Sequence, residues 1–252
     1  MTSAERKKAA IERKIKRKFG NRQKLASKTK ATYPADIEDE RKKILLAIFA
    51  LYYRTLDRYQ DSFDRDVIYK EVMNRRVVKN SFKRIRENAE KLYEHQAAAL
   101  NKQIKDTLGV ELSDDLFDTK EMRKLVDEIA ESDINDVKET VDKLLDAAEV
   151  IFERNRLRNI FLFLAVSRVI RSNAAITRQL HEQMGVSEYV WTTQRDNRVR
   201  DSHRRLDGRI FKYSEPPVMN EKSGERGNPG DDFGCRCVAT PVFGINILEH
   251  IA

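Results

Sequence analysis

Glycine and proline divide this chain into two kinds of backbone. Four of the five prolines and six of the nine glycines lie from Gly208 onward, and these residues interrupt regular helix. Upstream of Gly185, apolar residues recur at helical spacing; downstream, short β-prone runs alternate with turn residues. The expected fold is therefore mainly α, an elongated helical bundle followed by a small C-terminal α+β module of short strands and loops. The expected division is a basic arm over 1–33, a helical region over 34–185 and a compact module over 186–252. The 252 residues are 40% apolar and 36% charged, the balance of a soluble protein with much solvated helix surface. No apolar run approaches the roughly 20 residues of a bilayer span, so no membrane partner is expected.

Charge is distributed unevenly. Residues 1–30 carry twelve Lys or Arg against Glu5 and Glu12, whereas the whole chain has a net charge of +8. Ala9, Ala10, Ile11, Ile15 and Phe19 form a thin apolar stripe, consistent with a marginal helix ending at Gly20. Arg13, Lys14, Lys16, Arg17 and Lys18 put five positive charges within two helical turns. Such a patch attracts polyphosphate without sequence readout, through counterion release, or docks on an acidic protein surface. The alternative is a solvated tail. Residues 106–149 reverse the sign, with fifteen Asp or Glu against five Lys or Arg, and read as a solvated acidic face.

Pro34 marks a boundary, with Asp36 placed to cap a helix. From Ile37 to about Leu108 the pattern reads as two long helices broken near Asp61-Ser62, with Ile44, Ile48, Leu51, Tyr52, Leu56 and Tyr59 on one stripe. Asp118 and Glu121 resemble a capping box opening a helix to about Ala130. Ser132 or Asp133 then caps a further one carrying Ile134, Val137, Val141, Leu144, Leu145 and Ala148. Arg156 to Met184 is the most apolar helix, stopped by Gly185.

Chemistry concentrates in the last quarter. His203, Asp207, Cys235 and Cys237 are the residues best suited to soft-metal or nucleophilic work. Tyr189–Thr193 suits a short strand. Asp196 or Asn197 can cap a turn of helix carrying Val199, His203 and Leu206. Cys235 to Val242 reads as a final strand, on which both thiols would share one face and Arg236 the other.

The ordered set Trp191-Thr192, Asp196, Arg198-Val199-Arg200, His203, Leu206-Asp207-Gly208, Pro229-Gly230 and Cys235-Arg236-Cys237 resembles the phage Mu F-like family of head morphogenesis (minor head) proteins. The resemblance implies a structural, non-enzymatic role in capsid assembly of a tailed bacteriophage. The implied partners are the portal protein and the major capsid or scaffold proteins, and the implied location is the virion, at the capsid interior or portal vertex, after assembly in host cytoplasm. With the basic arm, it extends the expectation to non-specific DNA. Asp231-Asp232-Phe233-Gly234 stands where some relatives carry a histidine before the cysteine pair.

Three readings of the C-terminal residues compete. His203, Cys235 and Cys237, with a carboxylate such as Asp207, are chemically reasonable ligands for a structural zinc. Asp196, Arg198, His203 and Asp207 can instead form a buried polar network around small apolar thiols, which needs no fourth soft ligand. A metal- or cysteine-dependent hydrolase built on His203, Asp207, Cys235 and Cys237 is the most different alternative.

Overall fold

A computed structural model describes residues 2–59, 61–113, 116–117, 119–147 and 153–250. Helix dominates. α1 (Ser3–Phe19), α2 (Ala35–Arg58), α3 (Arg65–Asn74), α4 (Arg76–Leu108), α5 (Lys120–Asp146) and α6 (Arg154–Gln183) precede most of the strands. After α6 come β2 (Glu188–Thr192), the single turn α7 (Asp201–Arg204), β3 (Ile210–Lys212), β4 (Val218–Asn220), β5 (Glu225–Arg226), β6 (Val238–Gly244) and α8 (Ile247–His250). β1 (Lys24–Ala26) lies far upstream, directly after α1. The chain resolves into two compact units, one of residues 34–92 and 124–172, the other of residues 1–33, 93–123 and 173–252.

The first unit is helical. Ile44, Leu45, Ile48, Tyr52 and Leu56 of α2 pack with Ile68 and Val72 of α3, Val78 and Ile85 of α4, Val137 and Val141 of α5, and Leu157 and Phe161 of α6. The helix boundaries differ from expectation in informative ways. A second break falls at Arg75, so the span to Leu108 holds three helices. The expected break near Asp61-Ser62 is present, and Asp64 just beyond it caps α3 by accepting from the Val67 N–H at 3.1 Å. α2 starts after Pro34 without a side-chain cap, and Asp36 sits in its first turn, where a carboxylate favours the helix dipole.

α5 runs unbroken through Ser132 and Asp133. Asp133 caps nothing; it is 2% exposed and pairs with Arg41, itself 1% exposed. The Arg41 Nε also donates to Asn88 Oδ1 at 2.9 Å, and Asn88 donates to the Ile37 carbonyl. A pairing 92 residues apart in sequence leaves no local signal, so the acid reads as a cap until its partner is seen. The acidic segment is therefore not a solvated face throughout. Asp118, Asp114, Asp115 and Ala148 lie outside the described residues. At the start of α5, the Thr119 hydroxyl accepts from the Met122 N–H at 3.2 Å. α6 is long and apolar enough to cross a membrane by length and composition, but Leu157, Phe161 and Ala165 are buried in this unit's own core.

The second unit carries the sheet, antiparallel in the order β1-β6-β2-β3. Trp191 stands opposite Ala239, Glu188 opposite Val242, and Leu25 opposite Phe243. Residues 1–33 are thus part of a core rather than a tail. Ile15 is fully buried and Phe19 is 2% exposed, while β1 fills one edge of the sheet. Beyond β1, the Lys28 N–H donates to Thr107 Oγ1 and the Ala31 N–H to Thr240 Oγ1, each at 3.0 Å. α1 is also well bounded, by a Thr2–Glu5 capping box and by Gly20 at φ 53°.

Candidate metal centre

The site grows out of the end of β2. Its inward residues Tyr189 and Trp191 are fully buried. Past Thr192 the chain loops out and returns as α7, and two backbone bonds stitch that return to β2. Gly208 N–H donates to the Trp191 carbonyl at 2.8 Å, and Trp191 N–H donates to the Arg209 carbonyl at 2.9 Å. Gly208 takes φ 80°, which only glycine adopts freely. The carboxylate of Asp207 closes the same turn by accepting from the Thr193 N–H at 2.9 Å and from Arg195 Nε at 3.1 Å. This fixes His203 on α7, 2% exposed, with its ring edge-on to Trp191 at 5.4 Å.

The cysteines arrive from the other side. Gly230 and Gly234 take φ 93° and 67°, folding the loop so that Cys235 N–H donates to the Asp232 carbonyl at 3.0 Å. β6 begins only at Val238, so Cys235-Arg236-Cys237 is non-strand chain leading into it rather than the start of the strand. The alternation nevertheless holds. Both buried sulfurs face His203 Nδ1, Cys235 Sγ at 3.3 Å and Cys237 Sγ at 3.8 Å. Arg236 turns away, its guanidinium pairing with Asp196, and its carbonyl accepts from Gln194 Nε2 at 3.0 Å.

Each of these groups has a further neighbour. Asp232 Oδ2 lies 3.1 Å from His203 Nε2 and accepts from Arg200 Nη1 at 2.7 Å. The Gly230 backbone N–H donates to Cys235. The Trp191 indole N–H is buried without a well-formed hydrogen bond and is directed at the Cys237 sulfur. The two thiols are electrostatically unequal. Cys235 is pulled down by the hydrogen bond from Cys237, and then by those from His203 and Gly230, against the opposing effect of burial. Cys237 is pushed up by Cys235 beside it and by burial. His203, Cys235 and Cys237 place three ligand atoms within 4.8 Å of one another, a donor set suited to a soft or borderline divalent ion. The cleft over them, walled by Gln194, Val199, Arg200 and Gly234, has room for little more than a water molecule.

Asp196, Arg198, His203 and Asp207 all sit near this turn but do not share one network. Asp196 pairs with Arg236, accepts from the Arg198 N–H at 3.1 Å and has Arg198 Nε at 3.7 Å. Its carboxyl is held below the ordinary range first by Arg236. Arg198 is otherwise exposed. Burial works to raise the Asp207 carboxyl, but the Thr193 N–H and Arg195 outweigh it and keep it low. His203 offers Nδ1 to the sulfurs and turns Nε2 toward Asp232, a residue that the sequence marks only by its standing where relatives have histidine. Arg13, Lys14, Lys16, Arg17 and Lys18 are exposed on α1, apart from the partial cover its packed face gives.

With this geometry in place, comparison with known proteins gives a partial likeness. Residues 119–240, just under half of the chain, match the family described as "Phage Mu protein F like protein", so this segment is Mu F-like. The match takes in α5, α6, β2 to β5, the start of β6 and the His–Cys site, but not β1. The chain is 41% identical over 85 residues to an uncharacterized protein of Haemophilus influenzae, covering 34% of this chain and 18% of that protein. It is 42% identical over 53 residues to an uncharacterized protein of Methanocaldococcus jannaschii, covering 21% and 7%. The chain thus spans less than a fifth of the length of either relative. No solved structure matches.

Proposed function

We propose that the chain acts as a minor head protein of a tailed bacteriophage, taking part in capsid assembly in contact with the portal and residing in the virion. The observation that carries this reading is the Mu F-like match over residues 119–240, which contains the whole His203, Asp207, Cys235 and Cys237 turn. The role in this reading is structural, as the Mu F-like match suggests. The basic face of α1 is the part suited to loose, salt-dependent contact with packaged DNA, since Arg13, Lys14, Lys16, Arg17 and Lys18 cluster there within reach of phosphate.

Purified particles and a portal pull-down test the main claim. Low-copy recovery of the chain from particles, and its co-purification with the portal protein, are expected; absence from both would overturn the reading. The DNA contact needs a gentler probe than removing residues 1–30, which would strip β1 from the sheet and Ile15 and Phe19 from the core. Replacing the five arm cations by glutamine should abolish duplex binding at low salt with the helical content unchanged. Full binding by that variant would dismiss the arm.

A further inference from the structure

We infer that His203 Nδ1, Cys235 Sγ and Cys237 Sγ bind one zinc ion, with a water in the fourth position and Asp232, Gly230 and Trp191 supporting the ligands. Three independent features carry the assignment.

The first is distance. Tetrahedral zinc with metal–sulfur bonds of about 2.3 Å and metal–nitrogen bonds of about 2.0 Å separates sulfur and nitrogen ligands by roughly 3.5 Å. The two Nδ1–Sγ distances are 3.3 and 3.8 Å, and all three ligand atoms fall within 4.8 Å. The cage is already the size of the ion.

The second is the surrounding shell. A metal-bound histidine characteristically directs its other ring nitrogen at a carboxylate, and coordinating sulfurs attract N–H donors. Here Asp232 Oδ2 lies 3.1 Å from Nε2, near it though without a well-formed hydrogen bond, the Gly230 N–H serves Cys235, and the Trp191 indole N–H is aimed at Cys237. Trp191 is fully buried with no better-formed bond for that N–H. A neutral thiol is a poor reason to bury an indole donor; a metal thiolate is a good one. Asp232 is not among the three ligands and is itself held by Arg200, so it orients the ring rather than coordinating.

The third is the role of Cys237. Cys235, His203 and Asp232 alone would also describe a nucleophilic thiol with its base and orienting acid. That arrangement leaves Cys237 without a purpose, although it faces the same nitrogen. The adjoining cleft has room for little more than a water molecule. Binding zinc uses both sulfurs; each enters as thiolate, its proton passing to solvent, and water completes the tetrahedron. The ion would join α7 to the loop before β6 at one point.

The test begins with the wild-type full chain, purified without chelator and analysed for metal. About one zinc per chain is expected, with both thiols unreactive until a chelator is added. Replacement by cobalt(II) should give the strong near-ultraviolet thiolate-to-cobalt absorption of a two-sulfur site. Cys235→Ser and Cys237→Ser should each weaken that band. Asp232→Asn should lower zinc affinity on the order of 10- to 100-fold with both sulfurs intact. Wild-type protein that takes up no zinc or cobalt and keeps two freely titratable thiols would overturn the inference. So would selective alkylation of Cys235 in metal-free protein together with zinc content indifferent to Cys237→Ser, the signature of the nucleophile. Because metal content and the cobalt spectrum are read on wild-type protein, a variant that fails to fold does not blunt the test.

Discussion

The two compact units bury polar chemistry in opposite ways. In the helical unit a continuous apolar core from five helices surrounds the pair of Arg41 with Asp133, fixed further by Asn88 and with Arg168 Nε 3.8 Å from the same carboxylate. In the sheet-bearing unit the core beneath β2 is a small cluster of Tyr189, Trp191, Leu206 and Met219 that includes both thiols, and a histidine is packed against it. The first can rely on area: at about 25 cal/mol per Å² of apolar surface, long helices stabilise one another by stripe alone. Around the His–Cys site the second has only short strands and loops, so the order of that turn depends on directional groups such as the Asp207 carboxylate and the His–Cys cluster.

The sharpest way to break the comparison is to unbalance the ion pair. Asp133→Ala leaves the Arg41 guanidinium buried without its acid and should cost about 3–5 kcal/mol, read from urea unfolding. The paired replacement Arg41→Met with Asp133→Leu should recover most of that, because two apolar groups of similar volume remove both desolvation penalties. If Asp133→Ala is silent, the pair is not part of a dry core, and the contrast between the units fails.

Next in size is the sheet unit's dependence on its N-terminal segment. Ile15→Ala should destabilise by about 3 kcal/mol, the usual cost of a fully buried isoleucine. A solvated tail would show no change in the same melt. Much of the helix pattern was legible from residues alone: the stripe Ile44, Ile48, Tyr52 and Leu56 lies in the core where periodicity placed it, and Gly185 ends α6 in the left-handed conformation, φ 65°. The arm's place was not, because charge masked it. Lys and Arg can surround two buried apolar residues on α1, and a three-residue edge strand such as Lys24–Ala26 is too short for any pattern. The same locality limit hid the partners of the site. His203, Cys235 and Cys237 were visible as chemistry, and Cys-x-Cys spacing foretold that the sulfurs share a side. Asp232 and Trp191 became recognisable only once the fold closed, since neither spacing nor composition links residue 191 to 237.

A third substitution probes the turn that carries His203. Asp207→Ala removes the acceptor for the Thr193 N–H and the Arg195 guanidinium and should cost about 1–3 kcal/mol. Its thermal melt should fall further than that of Arg205→Ala, whose partner Glu221 is 67% exposed and whose loss belongs to the surface class. Equal effects would mean that the Asp207 bonds are no better than surface contacts. The carboxyl's depressed value adds a pH signature. Its stabilisation is present above the ordinary carboxylate pKa and is lost as pH falls through the lower folded value.

The smallest expected effect per unit of change, and the one that best separates the two units, comes from His181. It is buried near the end of α6, with Nδ1 2.7 Å from the Tyr213 hydroxyl and the rings edge-on at 5.9 Å. Burial holds its pKa down to about 3. The unfolded chain titrates at about 6.5, so between those values the unfolded state binds the extra proton and the folded state does not. Stability is therefore complete above about pH 6.5 and declines on acidification toward 3, with a slope approaching about 1.4 kcal/mol per pH unit. Tyr213 stays protonated throughout, since burial raises it well above its usual value, and its charged neighbours Arg178, Glu182 and Asp231 partly oppose one another. Equilibrium unfolding from about pH 7 to about pH 5 should show that slope for the wild type and a flatter profile for His181→Gln. The helical unit contains no histidine, so amides of α2 should keep their hydrogen-exchange protection at a pH where those near His181 have begun to lose theirs. Loss of protection in α2 first would reverse the ranking of the two cores.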